Sequence, residues 1–306
     1  MSARRIFRDP RFFQLAFLVV CSLVAAVAAH AEESAWRGSV PSLSSAPPRF
    51  IVVDKSRQRL QLVETYDCTT GQRDGPKQLA GDLRTPEGVY FVVGKVSSKL
   101  DYDEYGGAGY SLNYPNPIDR LLGRTGSGIW IHGRGRAISP RETRGCAVLG
   151  AEDIRRLGTR LEPGTPVILG DGLDWAGTDD SEKEAAEASL IVERTRAWNA
   201  AWAARSSELF EFYDAEAYAK AQSRSFASFR REREREFAQA KLSVTHGRIQ
   251  TLRGPGYRVS WFPQTVDTKA GRVEGIRRLY WIEHEGKWLI AGMEWVKRKS
   301  ARARAR

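Results

Sequence analysis

Polar and apolar positions divide this chain into a β-patterned first half and a second half that opens helical and ends in strands. Residues 50–53 (Phe-Ile-Val-Val) and 60–63 (Leu-Gln-Leu-Val) are short apolar runs, and polar residues 54–57 between them predict a hairpin. Further strands are expected at 89–93, after Thr85-Pro86-Glu87-Gly88, and at 128–131 and 166–169. One short helix is expected from about Ala151 to Thr159: Glu152 and Asp153 suit the positive end of its dipole, and Ile154 and Leu157 give it an apolar face.

Residues 170–180, rich in Gly and Asp, mark the change of pattern. Beyond them Leu190, Ile191, Arg194, Trp198 and Trp202 recur at spacings of three and four, as on a long amphipathic helix. A second helix is expected over 225–240. Then the period becomes two: Tyr257, Val259 and Trp261 alternate, and runs at 279–282 and 288–290 flank a turn at Glu285-Gly286. The expected organisation is a β-rich domain at 49–170, a linker at 171–186 and an α+β domain at 187–297.

The ends change the picture. Arg4, Arg5, Arg8 and Arg11 precede an apolar run from Phe12 to Ala29, and Ala29-His30-Ala31 reads as a cleavage site, so residues 1–31 are expected to be an export signal. An uncleaved membrane anchor is the alternative. Residues 32–48, rich in Ser, Pro and Ala, are expected to be a tether, with folding beginning near Arg49. The formal charge of +11 favours anionic surroundings. Export removes nucleic acid as a partner and leaves anionic lipid or wall polymer for the basic tail at 298–306. Of three cysteines, Cys21 lies in the apolar run, which leaves Cys68 and Cys146 and rules out a disulfide framework. A single Cys68–Cys146 bond stays open.

Chemistry concentrates at 129–146. An apolar strand leads into His132-Gly133, and Thr143-Arg144-Gly145-Cys146 follows across a Gly- and Arg-containing loop. A cysteine nucleophile needs an imidazole or a positive field to favour the thiolate, and both are present here. Gly145 permits close backbone approach, and amides beside Cys146 suit an oxyanion. On the residues alone, a core histidine and an inert buried thiol remain the commoner meaning of such a pair.

The segment resembles the active site of the L,D-transpeptidase catalytic-domain (YkuD-type) family, which usually reads His-Gly, a loop, then Ser-His-Gly-Cys. Phe50-Ile51-Val52-Val53-Asp54 with Gln58-Arg59-Leu60 is similar to that family's opening hairpin, and Gly81-Asp82-Leu83-Arg84-Thr85-Pro86-Glu87-Gly88-Val89-Tyr90 to its Thr-Pro-x-Gly strand entry. The resemblance implies a β-rich catalytic fold, Cys146 as nucleophile, His132 as base, and a stem peptide in which diaminopimelate precedes D-alanine. Two positions depart from the pattern: Arg144 replaces the usual histidine, and Val148 an arginine. Arg144 is then either the grip on the diaminopimelate carboxylate or a solvated loop arginine. Gly133, Gly145 and Tyr114 complete the candidate oxyanion and substrate-binding set. Tyr114 lies in a stretch, 112–117, similar to one found among L,D-carboxypeptidases; it either packs the wall or touches substrate.

Residues 187–297 resemble a nuclear-transport-factor-two-like domain, an α+β cone. The pairing of the two domains is similar to that in wall-trimming L,D-carboxypeptidases that shape helical bacterial cells. With an amine as acyl acceptor the implied reaction is transpeptidation, and with water carboxypeptidation. A non-catalytic wall-binding module is the reading from another class. No cofactor or metal is implied, His246 and His284 are expected to be solvated or structural, and a homodimer stays open.

Overall fold

A computed structural model describes residues 35–40, 50–62, 64–96, 99–175 and 178–297. The expected export segment and basic tail lie outside them.

The chain enters as β1 (Gly38–Val40), which pairs in parallel with β10 (Leu173–Trp175). Between these lie β2 (Ile51–Asp54), β3 (Arg59–Gln61), β4 (Thr65–Asp67), β5 (Gly88–Lys95), β6 (Gly109–Leu112), β7 (Trp130–Arg134), β8 (Ala147–Gly150) and β9 (Pro166–Gly170). They form one sheet in the order β4-β3-β2-β9-β5-β6-β7-β8. Past β4, Thr69 exchanges both backbone hydrogen bonds with Val148 of β8, at 2.8 and 2.9 Å. That bridge joins the two ends of the order, so the sheet curls into a barrel-like layer. Helices α1 (Tyr102–Tyr105), α2 (Pro117–Leu121) and α3 (Ala151–Gly158) lie in its connections.

The apolar runs lack strict alternation because both faces of these strands are buried. Ile51, Val53, Tyr90, Val92, Ile131, Val167 and Leu169 fill the core on one face. Their neighbours Phe50, Val52, Val89, Phe91 and Ile168 pack on the other, against Leu252, Tyr257, Val259, Trp261 and Tyr280 from the second half.

That second half consists of α4 (Thr178–Ala203), a 3₁₀ turn (Ser207–Phe212), α5 (Ala215–Gln222), α6 (Phe226–Phe237), β11 (Leu242–His246), β12 (Gln250–Gly254), β13 (Tyr257–Thr268), β14 (Gly271–His284) and β15 (Lys287–Lys297). The strands pair antiparallel as β11-β13-β14-β15, with β12 also on β13. On α4 the buried stripe runs through Ile191, Thr195, Trp198 and Trp202, while Leu190 is left exposed. Helix α5 was not expected. Its buried positions are Ala217, Tyr218 and Ala221, too small a signal to read as periodicity, and its start is fixed by the Asp214 carboxylate accepting from the Ala217 amide at 2.9 Å.

Two expected connections turn out to be structured. Residues 171–186, expected as a linker, hold β10 and the first turns of α4, and the tether expected at 32–48 contains β1. The cause is a buried carboxylate. Glu87 accepts from Lys55 Nζ at 2.6 Å and from the Trp36 amide at 2.5 Å, and Trp36 in turn accepts from the Asp171 amide at 2.9 Å. A buried charge must be paired, and the strap before β2 supplies the second donor.

Tyr257 ties the halves together: its hydroxyl accepts from the Val89 amide at 2.7 Å, with both residues buried. Tyr257→Phe strands that amide, so a cost of about 1–3 kcal/mol is expected. It should appear in urea as a lower midpoint with an unchanged slope.

Candidate active site

Alternation along β7 sends Ile131, with Ile129 just before it, into the core and presents Trp130, His132 and Arg134 on the opposite face. Gly133 sits between them where a side chain would collide: a Cβ there meets Ile154 Cγ2 at 2.5 Å and Gly106 Cα at 3.0 Å. Strand β8 runs parallel to β7 with Ile131 opposite Ala147 and His132 opposite Val148. Paired residues share a face, so Cys146, two before Val148, lies on the face of Trp130 and His132.

His132 is 95 % buried and its Nδ1 lies 2.7 Å from the Gly133 carbonyl oxygen. A carbonyl only accepts, so Nδ1 carries the proton and Nε2 keeps a free lone pair. Burial pushes the His132 pKa below its ordinary value, with Arg134 adding to the decrease and the Gly133 hydrogen bond and Glu104 opposing it. Tyr105 of α1 and Trp130 flank the ring, at centroid separations of 5.1 and 6.5 Å.

The turn into Cys146 is held from both sides. Gly145 has φ of +132°, and a Cβ there would come 2.7 Å from the Arg84 carbonyl oxygen, so only glycine fits. Thr143 Oγ1 accepts from the Gly145 amide at 3.0 Å and donates to the Cys146 carbonyl at 2.8 Å. The thiol itself donates to the Gly128 carbonyl at 3.6 Å. Burial pushes its pKa up, while the Trp130 amide and the charges of Arg134 and Lys77 pull it down. Neither proton rests between sulfur and imidazole: the resting pair is a neutral thiol beside a neutral, tautomer-fixed ring.

Among the residues expected to hold substrate, three have other employment. Tyr114 is buried in the barrel core with its hydroxyl donated to the Thr125 carbonyl at 3.0 Å, so it packs the wall. Gly133 gives its amide to Ala108 at 3.1 Å and its carbonyl to His132, so both of its backbone groups are engaged and it orients the His132 ring. The Gly145 amide is engaged by Thr143. Arg144, by contrast, is exposed beside Cys146 and makes no hydrogen bond or ion pair among the described residues. Both Cys68 and Cys146 are free; Cys68 sits in the barrel core with its pKa pushed up to about 12 by burial.

Sequence reasoning missed Lys77, Tyr105 and Arg134. Lys77 arrives from a distant loop and Tyr105 from the short helix α1, and neither carries a local signal. Arg134 was findable, since it follows His132 by two on a strand.

The site lies inside a recognisable family segment. Residues 48–169 match the L,D-transpeptidase catalytic domain, the YkuD family. A curated relative, the candidate L,D-transpeptidase YafK of Escherichia coli (strain K12), is 34% identical over 80 residues, 26% of this chain. The chain covers 31% of that relative's length. Two solved structures share the fold over most of the chain. Bd1075 of Bdellovibrio bacteriovorus superposes with a TM-score of 0.64 at 20% identity, covering 86% of this chain and 97% of that one. The helical cell shape determining protein Pgp2 of Campylobacter jejuni gives 0.61 at 22% identity, covering 80% and 91%. The L,D-transpeptidase-type domain thus stands on sequence, and the two-part fold on structural likeness.

Proposed function

We propose that this chain is an exported, peptidoglycan-modifying cysteine enzyme that cleaves the diaminopimelate–D-alanine bond of stem peptides through a Cys146 thioester. One observation carries the reading: within an L,D-transpeptidase-type segment, a glycine-turned cysteine stands immediately before β8, and an imidazole with free Nε2 lies on the adjacent β7. His132 Nε2 takes the thiol proton as Sγ bonds to the carbonyl carbon. The resulting oxyanion collapses, the C–N bond breaks, and the departing D-alanine amine takes that proton from His132. An acceptor then resolves the thioester. With the Gly145 amide engaged, the Cys146 amide is the donor assigned to the oxyanion. Arg144, exposed and uncommitted, is assigned to the diaminopimelate carboxylate.

Water is the acceptor favoured by the likeness to a protein that determines helical cell shape, since trimming stem peptides removes cross-link donors. In this reading the second half is a nuclear-transport-factor-two-like α+β domain, the enzyme works in the periplasm, and its basic tail rests on anionic lipid or wall polymer.

The active pair holds one proton. Its loss from service on the acid side follows His132 protonation, whose pKa lies below 6.5, and on the alkaline side follows thiol ionisation, above 9. A bell-shaped kcat/KM profile with limbs outside those values is expected. An acid limb above pH 7 would contradict a buried neutral base.

The functional test is incubation of the mature protein with disaccharide-tetrapeptides and mass spectrometry of the products. Tripeptide alone establishes carboxypeptidation, cross-linked dimers establish transpeptidation, and absence of turnover on tetra- and pentapeptide stems overturns the enzyme reading.

A further inference from the structure

Arg134 has no part in the steps above, yet its placement is unusual. It follows His132 by two on β7, on the same face, and is 92 % buried. Its guanidinium reaches both walls of the site. It pairs with Glu142, in the loop that leads to Cys146, and at 3.5 Å with Glu104 of α1, the helix whose Tyr105 ring lies against His132. The Gly135 amide donates to the Asp103 carbonyl at 3.1 Å, so the same two walls also meet through backbone. Compensation of the charge is incomplete. Glu104 is mostly exposed, Glu142 is shared with Arg136 at 3.6 Å, and the buried Nε of Arg134 has no hydrogen-bond partner. A residue serving only as a clasp gains nothing from an unpaired, buried N–H. A buried, incompletely compensated guanidinium does place positive potential in a low-dielectric site.

We propose that Arg134 is a positioning residue for the Cys146–His132 pair: it fixes α1 and the nucleophile loop on either side of the imidazole and supplies the lasting positive charge that favours negative charge on the sulfur. The proposal rests on the assignment of Cys146 as nucleophile. The other charges acting on the pair are Lys77, held by Asp82 at 2.6 Å, and Glu104, with exposed Arg144 next to Cys146 in the chain; Glu142 and Arg136 form the ion-pair cluster around Arg134. Both effects named in the proposal act on the thiol before any substrate binds. The same charge disfavours the imidazolium, which agrees with the downward shift at His132.

The test is the pH dependence of Cys146 alkylation by iodoacetamide, read by mass spectrometry on the full chain without substrate. Arg134→Met should move the alkylation midpoint upward by about one unit, a roughly tenfold slower reaction at pH 8. Arg134→Lys should restore most of it. Glu142→Gln removes a carboxylate that compensates Arg134 and should move the midpoint down. That opposite sign separates an electrostatic role from a structural one, because loss of a clasp perturbs both variants alike, and it stands even if Arg134→Met fails to fold. Profiles of folded Arg134→Met and of Glu142→Gln that superimpose on the parent overturn the proposal. Alkylation responds whether or not stem peptides are turned over, so this result and that of the muropeptide assay fail independently.

Discussion

Cys146→Ala is expected to lower muropeptide turnover by about 10⁴-fold or more while leaving the folded state intact. The size of the loss follows from the site's chemistry. A second thiol exists, but Cys68 is buried in the barrel core with its pKa pushed up to about 12, so it remains protonated and out of reach of a peptide. No stand-in nucleophile is therefore at hand. Stability should change little, because the side chain lost is small and the turn that presents it is braced by other atoms: the Thr143 hydroxyl on both sides, and the Arg84 backbone against Gly145. The measurement pairs product formation by mass spectrometry with a thermal midpoint. Full activity in the variant would move the chemistry to another residue, whereas a large fall in midpoint would mean that the loss of turnover reports unfolding.

The legibility of this site in the sequence was uneven for a physical reason. His132 lies on β7 and Cys146 immediately before the adjacent β8, an approach announced by an apolar run and a glycine turn, so the local pattern carries them. The groups that set their charge states do not share that locality. Lys77 reaches the site from a loop and Glu104 and Tyr105 from helix α1, and their significance is visible only once the sheet has curled. Tyr114 was left open between wall packing and substrate contact, and its hydroxyl on Thr125 and its ring 6.0 Å from that of Tyr90 place it in the wall. Hairpin β2–β3, strands β5, β7 and β9 and the β14–β15 turn at Glu285-Gly286 were readable from period and turn chemistry, whereas β4, β6 and β8 were not expected. What could not be read was how the halves join, since a strand buried on both faces gives no clue to which partner covers which face.

That junction gives the largest expected loss of stability. Phe91, fully buried in β5, points away from the barrel core and meets the second half: its ring lies 5.3 Å from that of Trp261 in an edge contact, and the Arg278 guanidinium sits 3.9 Å from its centroid. Phe91→Ala removes the ring and leaves a cavity beneath a cation whose ion-pair partner among the described residues is Glu294, at 3.1 Å. A loss of about 3–5 kcal/mol is expected. Two probes can follow the halves separately in a Cys146→Ala background. Labelling of Cys68 reports opening of the barrel, while tryptophan fluorescence is weighted to the second half, which holds Trp198, Trp202, Trp261, Trp281, Trp288 and Trp295. Because the shared core includes residues from both halves, the two transitions should coincide in urea and move down together in the variant. Transitions that separate in the parent protein would mean that the barrel and the α+β half fold independently, with the tyrosine–amide bond and the Phe91 contact as surface docking rather than core.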